Sequence, residues 1–363
     1  MGSDEDGAEF RRFSFREVAM GCEIRIELDA LSEAEAKSIA KAAFERVHAL
    51  DDVLSDYRVT SEVGRLPDVA DTVFPLSHDL ANALDKSLRI SRSTGGRFDA
   101  TIGSSTRLWR NARKSGTLPS DDALTTAHTS GGWRNVVLDA SGDGVKYLRP
   151  GIRLDFGAIG KGLAAQAALD VLRSLGASGA MCAIAGDIAC GGSPVNSAGW
   201  AIEVASGIEG APCCLLSLRN VCISTSGDEF QHLDVAGKRH SHIIDPRTGR
   251  AVTRRLTATV ICSDGAIADG LATALCVGGP ELLAELRDSR HELGDFEARV
   301  VESFEDQNAK QIIAVTPGWD ALCATASVVD SSVLGSPPKP VETVQTEATA
   351  ASNSSDPQPR HPR

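Results

Sequence analysis

Three polar stretches carry the side chains that could do chemistry. SHIIDPRTG, residues 241–249, gathers His242, Asp245, Pro246 and Gly249 into one short run. Pro246 restrains its own backbone and pushes Asp245 out of the helical region, while Gly249 permits a tight reversal, so an imidazole and a carboxylate are held on a rigid corner. AIADGLATAL, residues 266–275, sets Asp269 and Thr273 four apart on one face of a helix. Two hard oxygen donors on one face suit magnesium. RLDFGAIGKGLAA, residues 153–165, puts Asp155 at the end of a strand, a flexible turn from Gly157 to Gly160, and Lys161 at a helix start. Free backbone N–H groups, the helix dipole and an ammonium all favour a phosphate there.

That loop is neither of the common nucleotide motifs. A Walker A loop needs glycine where this chain has Asp155 and a Ser or Thr where it has Gly162, which excludes a P-loop ATPase. The G-x-G-x-x-G pattern of a Rossmann fold is absent from the loop as well. Two further stretches fit a ligand site. In TGGRFDATIG, residues 94–103, adjacent glycines let the backbone approach a ligand just before Arg97, Phe98 and Asp99. In LSDYRVTSEVGRL, residues 54–66, a polar loop presents Tyr57, one of two tyrosines in the chain, for stacking. Met20 precedes a strand in AMGCEIRIEL and by itself reads as a core methionine.

The elements that must position these groups are legible in part. EIRIEL, 23–28, alternates as a strand, and 32–54 is a long amphipathic helix with Ser32 as N-cap and Glu35 three later. Residues 80–93 read as a second helix stopped at Gly95 and Gly96, and 160–177 as a third. NVVLD and GVKYLR form a hairpin about SGDG, with GIRLDF as a following strand. MCAIAGDIACGG, WAIEVA, CCLLSL, VCIST and LTATVICS read as strands, followed by the Asp269 helix and a separate one from Pro280 to Arg287. Strand runs with interspersed helices predict an α+β fold of mixed, largely antiparallel sheets with packed helices.

With 363 residues and 42% apolar composition the chain can build a full core. A net charge of −12 excludes a nucleic-acid surface, which needs clustered Lys and Arg. No run approaches the apolar length that spans a bilayer, and the acidic opening MGSDEDGAEF is no secretory signal, so the chain as given reads as cytoplasmic. Nine cysteines without a C-x-x-C pair argue against a zinc ribbon or disulfide framework, and Cys182, Cys190, Cys222, Cys262 and Cys276 read as small buried hydrophobes. Residues 1–12 and the Pro-, Ser- and Thr-rich tail 331–363 are expected to be disordered, leaving 13–320 as the folded unit.

Taken in order, AMGC, SDYRVTSEVGRL, TGGRFDATIG, LDFGAIGKG, CISTSGDEF, SHIIDPRTG and AIADGLATAL resemble the ApbE family of FAD:protein FMN transferases, from about Met20 to Gly279. The resemblance implies two intimately associated lobes with an FAD cleft between them. It implies magnesium-dependent transfer of FMN from FAD to a Thr or Ser hydroxyl of a target flavoprotein, with AMP leaving. It would place Met20, Tyr57, Arg97, Phe98, Asp99, Asp155, Lys161, His242 and Ile243 around FAD. The metal would be held by the carbonyl of Ala158 and the side chains of Asp269 and Thr273. In that chemistry Lys161 would stabilise phosphate charge and His242 or Asp245 would take the hydroxyl proton. The same pocket allows two alternatives, FAD hydrolysis to FMN and AMP, or silent FAD binding. Cys22, Leu163, Gln166 and Ala272 depart from the family pattern, and the loss of acidic groups predicts weaker metal binding. Many relatives work outside the cytoplasm, which leaves that compartment open by resemblance.

Overall fold

The computed structural model describes residues 9–207, 214–228, 231–286, 290–304 and 311–325. Its centre is an 8-stranded sheet of Arg11–Ala19, Cys22–Ala30, Ala180–Ile184, Asp187–Gly191, Val221–Gly227, Arg255–Cys262, Phe296–Ser303 and Gln311–Val315. These strands lie side by side in chain order, and every neighbouring pair is antiparallel. The α+β reading therefore holds.

Strand alternation sends Cys182, Ile184, Ala189, Cys222 and Val260 to one face, packed under the Glu33–Leu54, Gly160–Ser174 and Gly265–Glu285 helices. Met181, Cys190, Ile223 and Ile261 point the other way, into a second cluster with Trp200, Leu216 and Trp319. That cluster is covered by the hairpin Trp200–Val204 with Cys214–Leu218 and by the helix Trp319–Thr325. Covering on both faces explains why MCAI and IACG are continuous apolar runs without alternation. The five cysteines expected to be buried are buried.

Several elements differ from the sequence reading. MCAIAGDIACGG is a hairpin that reverses at Ala185, φ 52°, not a single strand. GIRLDF forms no strand; Arg153 makes an isolated parallel bridge to Ile102, and the Asp155 N–H is given to the Ala100 carbonyl at 2.7 Å, which docks the TGGRFDATIG loop. The stretch from Gly265 to Glu285 agrees with the reading of two helices: it breaks at Gly279, φ 67°, just ahead of Pro280, which has no N–H to continue the ladder. Taken as one span, Gly265–Glu285 is by length and composition apolar enough to cross a bilayer, contrary to expectation, but 83% of its apolar window is buried in the protein. The first strand starts at Arg11, inside the stretch set aside as an N-terminal tail, because Phe13 and Phe15 pack on the core. At the other end the Trp319–Thr325 helix runs past residue 320, anchored by buried Trp319. The tail 331–363 lies outside the described residues.

The Ser32 cap is as read: its Oγ accepts the Glu35 N–H at 3.2 Å, and Glu35 accepts the Leu31 N–H. A less visible arrangement joins the two helices that carry Lys161 and Asp269. They cross where a Cβ on Gly162 would stand 2.1 Å from the Gly265 carbonyl, and the reverse substitution would meet Gly162 equally closely. Only glycine permits that approach. At the crossing each helix start is capped by the other helix. Asp269 accepts the Gly162 N–H at 3.1 Å, and Gln166 accepts the Gly265 N–H at 2.8 Å. We expect Gly162→Ala to cost about 3 kcal/mol by overpacking, and Gln166→Ala, which only uncaps, to cost about 1 kcal/mol. Urea denaturation measures both; equal stability of Gly162→Ala and the parent would refute the crossing.

Candidate active site

The SHIIDPRTG corner is a short antiparallel pair, Ile244–Asp245 with Arg250–Ala251. The Asp245 carbonyl accepts the Gly249 N–H at 2.8 Å, while its carboxylate accepts the Arg247 N–H at 2.9 Å and the Arg247 side chain at 3.0 and 2.8 Å. Both carboxylate oxygens are engaged within the turn. Asp245, expected as a catalytic carboxylate, instead builds the corner. Gly249, φ 68°, leaves no room for a Cβ against His128, and its carbonyl accepts the Trp109 indole N–H at 2.9 Å. The corner is thus fixed onto the Gly103–Ser115 and Asp121–Ser130 helices.

His242 sits half-buried on that corner. Its main-chain N–H and its ring Nδ1 both meet the Gln231 carbonyl, at 3.0 and 3.1 Å. A carbonyl only accepts, so Nδ1 carries the proton and Nε2 keeps its lone pair. Burial pushes the His242 pKa down, and the Arg113 and Lys161 charges push the same way against the Gln231 hydrogen bond. The imidazole is neutral with Nε2 available as a base. Ile243 turns its side chain into the main core, so only its backbone remains for a ligand.

Lys161 lies between two buried carboxylates. Its Nζ is 2.5 Å from Asp187 and 3.9 Å from Asp269. Burial alone would lower the ammonium pKa, but the Asp269 and Asp187 charges more than reverse it, so Lys161 stays protonated. Burial, then the Asp187 charge, push Asp269 up to about 7 against the pull of Lys161. Asp187 also accepts a hydrogen bond from Ser224. The N–H group at Gly162 that was expected to await a phosphate is therefore occupied by Asp269. Thr273, one turn further on, touches Ser226 Oγ at 3.2 Å. Met20, in the φ 53° turn of the first hairpin, lies against this helix start: a Cβ on Gly160 would meet its Cε at 3.5 Å.

A second cluster joins Asp155 and Tyr57 through Arg110, while Asp99, Phe98 and Arg97 have partners of their own. Asp155 pairs with Arg110 at 2.6 Å, accepts the Thr106 hydroxyl at 2.6 Å, and accepts the Gly157 N–H at 2.8 Å. Arg110 also pairs with Asp56 and lies 4.4 Å from the centre of the Tyr57 ring, whose outer surface is exposed. Asp99 accepts the Thr101 N–H at 2.8 Å and the Trp133 N–H at 2.9 Å, which shapes its loop. Phe98 is core, facing Gly270, and Arg97 pairs with Glu285 at 2.9 Å. The run from Asp155 to Lys161 connects the two clusters.

The donor set suits a hard divalent ion. Asp187 and Asp269 share one lysine, so a positive charge is wanting, and Asp269 and Thr273 offer oxygen alone. Among the described residues no group of three His, Cys, Asp or Glu side chains forms a self-sufficient metal cage. Magnesium commonly binds through one or two carboxylates and completes its shell with water and substrate phosphate.

Residues 20–296 match the model of the ApbE family. The chain belongs to that family. A relative from Klebsiella pneumoniae named FAD:protein FMN transferase is 30% identical over 272 residues, 72% of this chain and 77% of that protein. One of the same name from Chlamydia muridarum is 30% identical over 268 residues, 72% of this chain and 83% of its own. The structure of flavin transferase ApbE from Vibrio cholerae matches with TM-score 0.75 at 24% identity, over 86% of this chain and 100% of that one. The apo flavinyl transferase ApbE of Pseudomonas stutzeri matches with TM-score 0.74 at 24% identity, over 86% and 97%. These two structures share the fold.

Against the ApbE pattern, the four departures find physical places. Gln166 caps the neighbouring helix, and Leu163 and Ala272 are enclosed in the core. Cys22 directs its thiol at the Ala19 carbonyl at 3.7 Å. Asp187, Arg110 and Gln231 were not singled out from sequence. Asp187 is a lone acid in an apolar run, which was a usable signal; Arg110 lies on an unremarked helix and Gln231 acts through its carbonyl. Arg110→Ala leaves Asp56 and Asp155 without their cation and should destabilise the fold by about 3 kcal/mol. Thermal melting checks this, and an unchanged midpoint would show the cluster to be structurally idle.

Proposed function

We propose that this chain transfers the FMN moiety of FAD to a Thr or Ser hydroxyl of a target flavoprotein and releases AMP. The observation that carries the reading is His242, neutral and anchored through Nδ1, with Nε2 unengaged among the described residues and in the electrostatic reach of Lys161. His242 Nε2 takes the proton of the acceptor hydroxyl, whose oxygen forms the new bond to the FMN phosphorus. The phosphorus–oxygen bond to AMP breaks, and its electrons leave with the AMP phosphate. Lys161, held charged and oriented by Asp187, stabilises the negative charge that grows on the phosphates.

Asp269, Thr273 and the Ala158 carbonyl would hold Mg2+, which supplies charge neutralisation for the bridging phosphates. Met20 gives an apolar shoulder at the start of the Gly160–Ser174 helix, and Tyr57, backed by Arg110, offers an exposed ring face for stacking. Asp99, Asp155, Arg97 and the Ile243 backbone complete the binding surface as loop-shaping groups; Phe98 supports it from the core.

Incubating the chain with FAD, Mg2+ and a flavoprotein bearing an acceptor threonine tests the reading. The expected result is a denaturation-resistant fluorescent target band with stoichiometric AMP, abolished by EDTA or Asp269→Ala. Free FMN and AMP without a labelled band would instead establish hydrolysis, and tight FAD binding without AMP would establish a silent binder. His242→Ala should lose at least about a hundredfold in turnover. The base must be neutral, and its pKa is depressed from 6.5. The rate should therefore rise with pH through an acid limb centred below 6.5 and stay flat above it with respect to this group. A variant that kept both the rate and the acid limb would remove His242 from the reaction.

A further inference from the structure

Eight free cysteines are described, and two of them differ from the rest. Cys182, Cys190, Cys222, Cys262 and Cys276 are buried, and Cys22 is engaged with a backbone carbonyl. Cys214 and Cys323 are half-buried and meet each other, Sγ to Sγ, at 3.2 Å. Cys214 opens the Cys214–Leu218 strand opposite Val204, and Cys323 lies in the Trp319–Thr325 helix that packs on that strand.

We infer that Cys214 and Cys323 are a redox modification site, a dithiol that closes to an intramolecular disulfide by exchange with a small disulfide such as oxidised glutathione. The elements are already packed, so closure needs only rotation and a short approach of two side chains. One cysteine thiolate attacks a sulfur of oxidised glutathione, releasing one glutathione thiolate and forming a mixed disulfide. The second cysteine displaces the other glutathione. Two cysteine thiols are oxidised, one glutathione disulfide is reduced to two thiols, and the cysteine protons end on those thiols.

Burial, then the Cys323 hydrogen bond, push the Cys214 thiol up to about 11, while Arg299 pulls it down. Cys214 therefore rests as a thiol near neutrality, and its attack accelerates as pH rises. The bond ties residues 109 apart in the chain and fastens the last described helix to the hairpin beneath the sheet. It persists in an oxidising compartment and opens where glutathione is kept reduced. Both sulfurs belong to the cluster on the hairpin face, whereas Lys161 and Asp269 lie on the helix face. Closure should move stability and leave flavin chemistry alone, so the inference stands apart from the proposed function.

The test treats the full chain with oxidised glutathione, blocks remaining thiols with N-ethylmaleimide, and maps the non-reduced digest by mass spectrometry. Cys213 precedes Cys214 and lies outside the described residues, so variants separate the two. The expected result is a cross-link to Cys323 in the parent and in Cys213→Ser, lost in Cys214→Ser and in Cys323→Ser. The parent's melting temperature should rise by about 5 °C on oxidation and fall back with dithiothreitol. A link that survives Cys214→Ser but not Cys213→Ser would overturn the inference. So would a Cys213–Cys214 or Cys222–Cys262 bridge, a disulfide-linked dimer, or glutathionylation without closure.

Discussion

Two helices that cap one another at a glycine crossing hold this site together. The starts of the Gly160–Ser174 and Gly265–Glu285 helices are brought into backbone contact by Gly162 and Gly265. Side-by-side helix starts concentrate partial positive charge and orphan N–H groups, an unfavourable meeting unless each finds an acceptor. Asp269 serves one helix and Gln166 the other, and both acceptors come from the opposite partner. Separating the helices would break both bonds, leaving the second helix only its own cap, Asp264, which accepts the Ile267 N–H at 3.1 Å. The crossing therefore fixes where Lys161 and Asp269 stand relative to one another.

The same crossing makes the site's charge uneven. Asp187 comes from the sheet, Asp269 from one helix and Lys161 from the other, so two buried carboxylates share one ammonium. Lys161 lies closer to Asp187, which leaves Asp269 the less satisfied of the two. Burial and the Asp187 charge push its carboxyl up to about 7. A cation beside Asp269 would relieve that repulsion, and an anion brought by the cation would find Lys161 at hand.

Local signals in the chain were readable where the backbone itself makes the feature. Ser32 with Glu35 marked a helix start, the run at 136–147 marked a hairpin, and Pro246 with Gly249 marked the corner that positions His242. Features that arise between distant elements were not readable. Gln166 looked like the loss of an acid and proved to be a cap, because its partner Gly265 is 99 residues away. Phe98 looked like a ligand contact and proved to be core, because Gly270 clears space for its ring. The strand expected at GIRLDF failed because its backbone serves a loop, and no periodicity in the strand itself could signal that. The long buried span was missed because Gly279 and Pro280 break it and Asp269, Glu281 and Glu285 interrupt its apolar sequence, while its burial comes from neighbours.

His242 and Asp245 lie three residues apart and were expected to compete for one chemical role; turn geometry separates them. The Asp245 carboxylate, at the start of a Pro–Arg–Thr–Gly reversal, accepts the Arg247 N–H and the Arg247 side chain, so both its oxygens are engaged in the turn. The histidine precedes the reversal, and its main chain and Nδ1 share a single carbonyl. That shared acceptor removes one of the two neutral tautomers. A protonated Nδ1 leaves basicity at Nε2, on the ring edge away from Gln231. Had the ring met an N–H donor in place of the carbonyl, the tautomer would reverse and the basic atom would be spent on the backbone. The direction in which this site can accept a proton is therefore decided by one main-chain oxygen, supplied by a residue whose side chain takes no part.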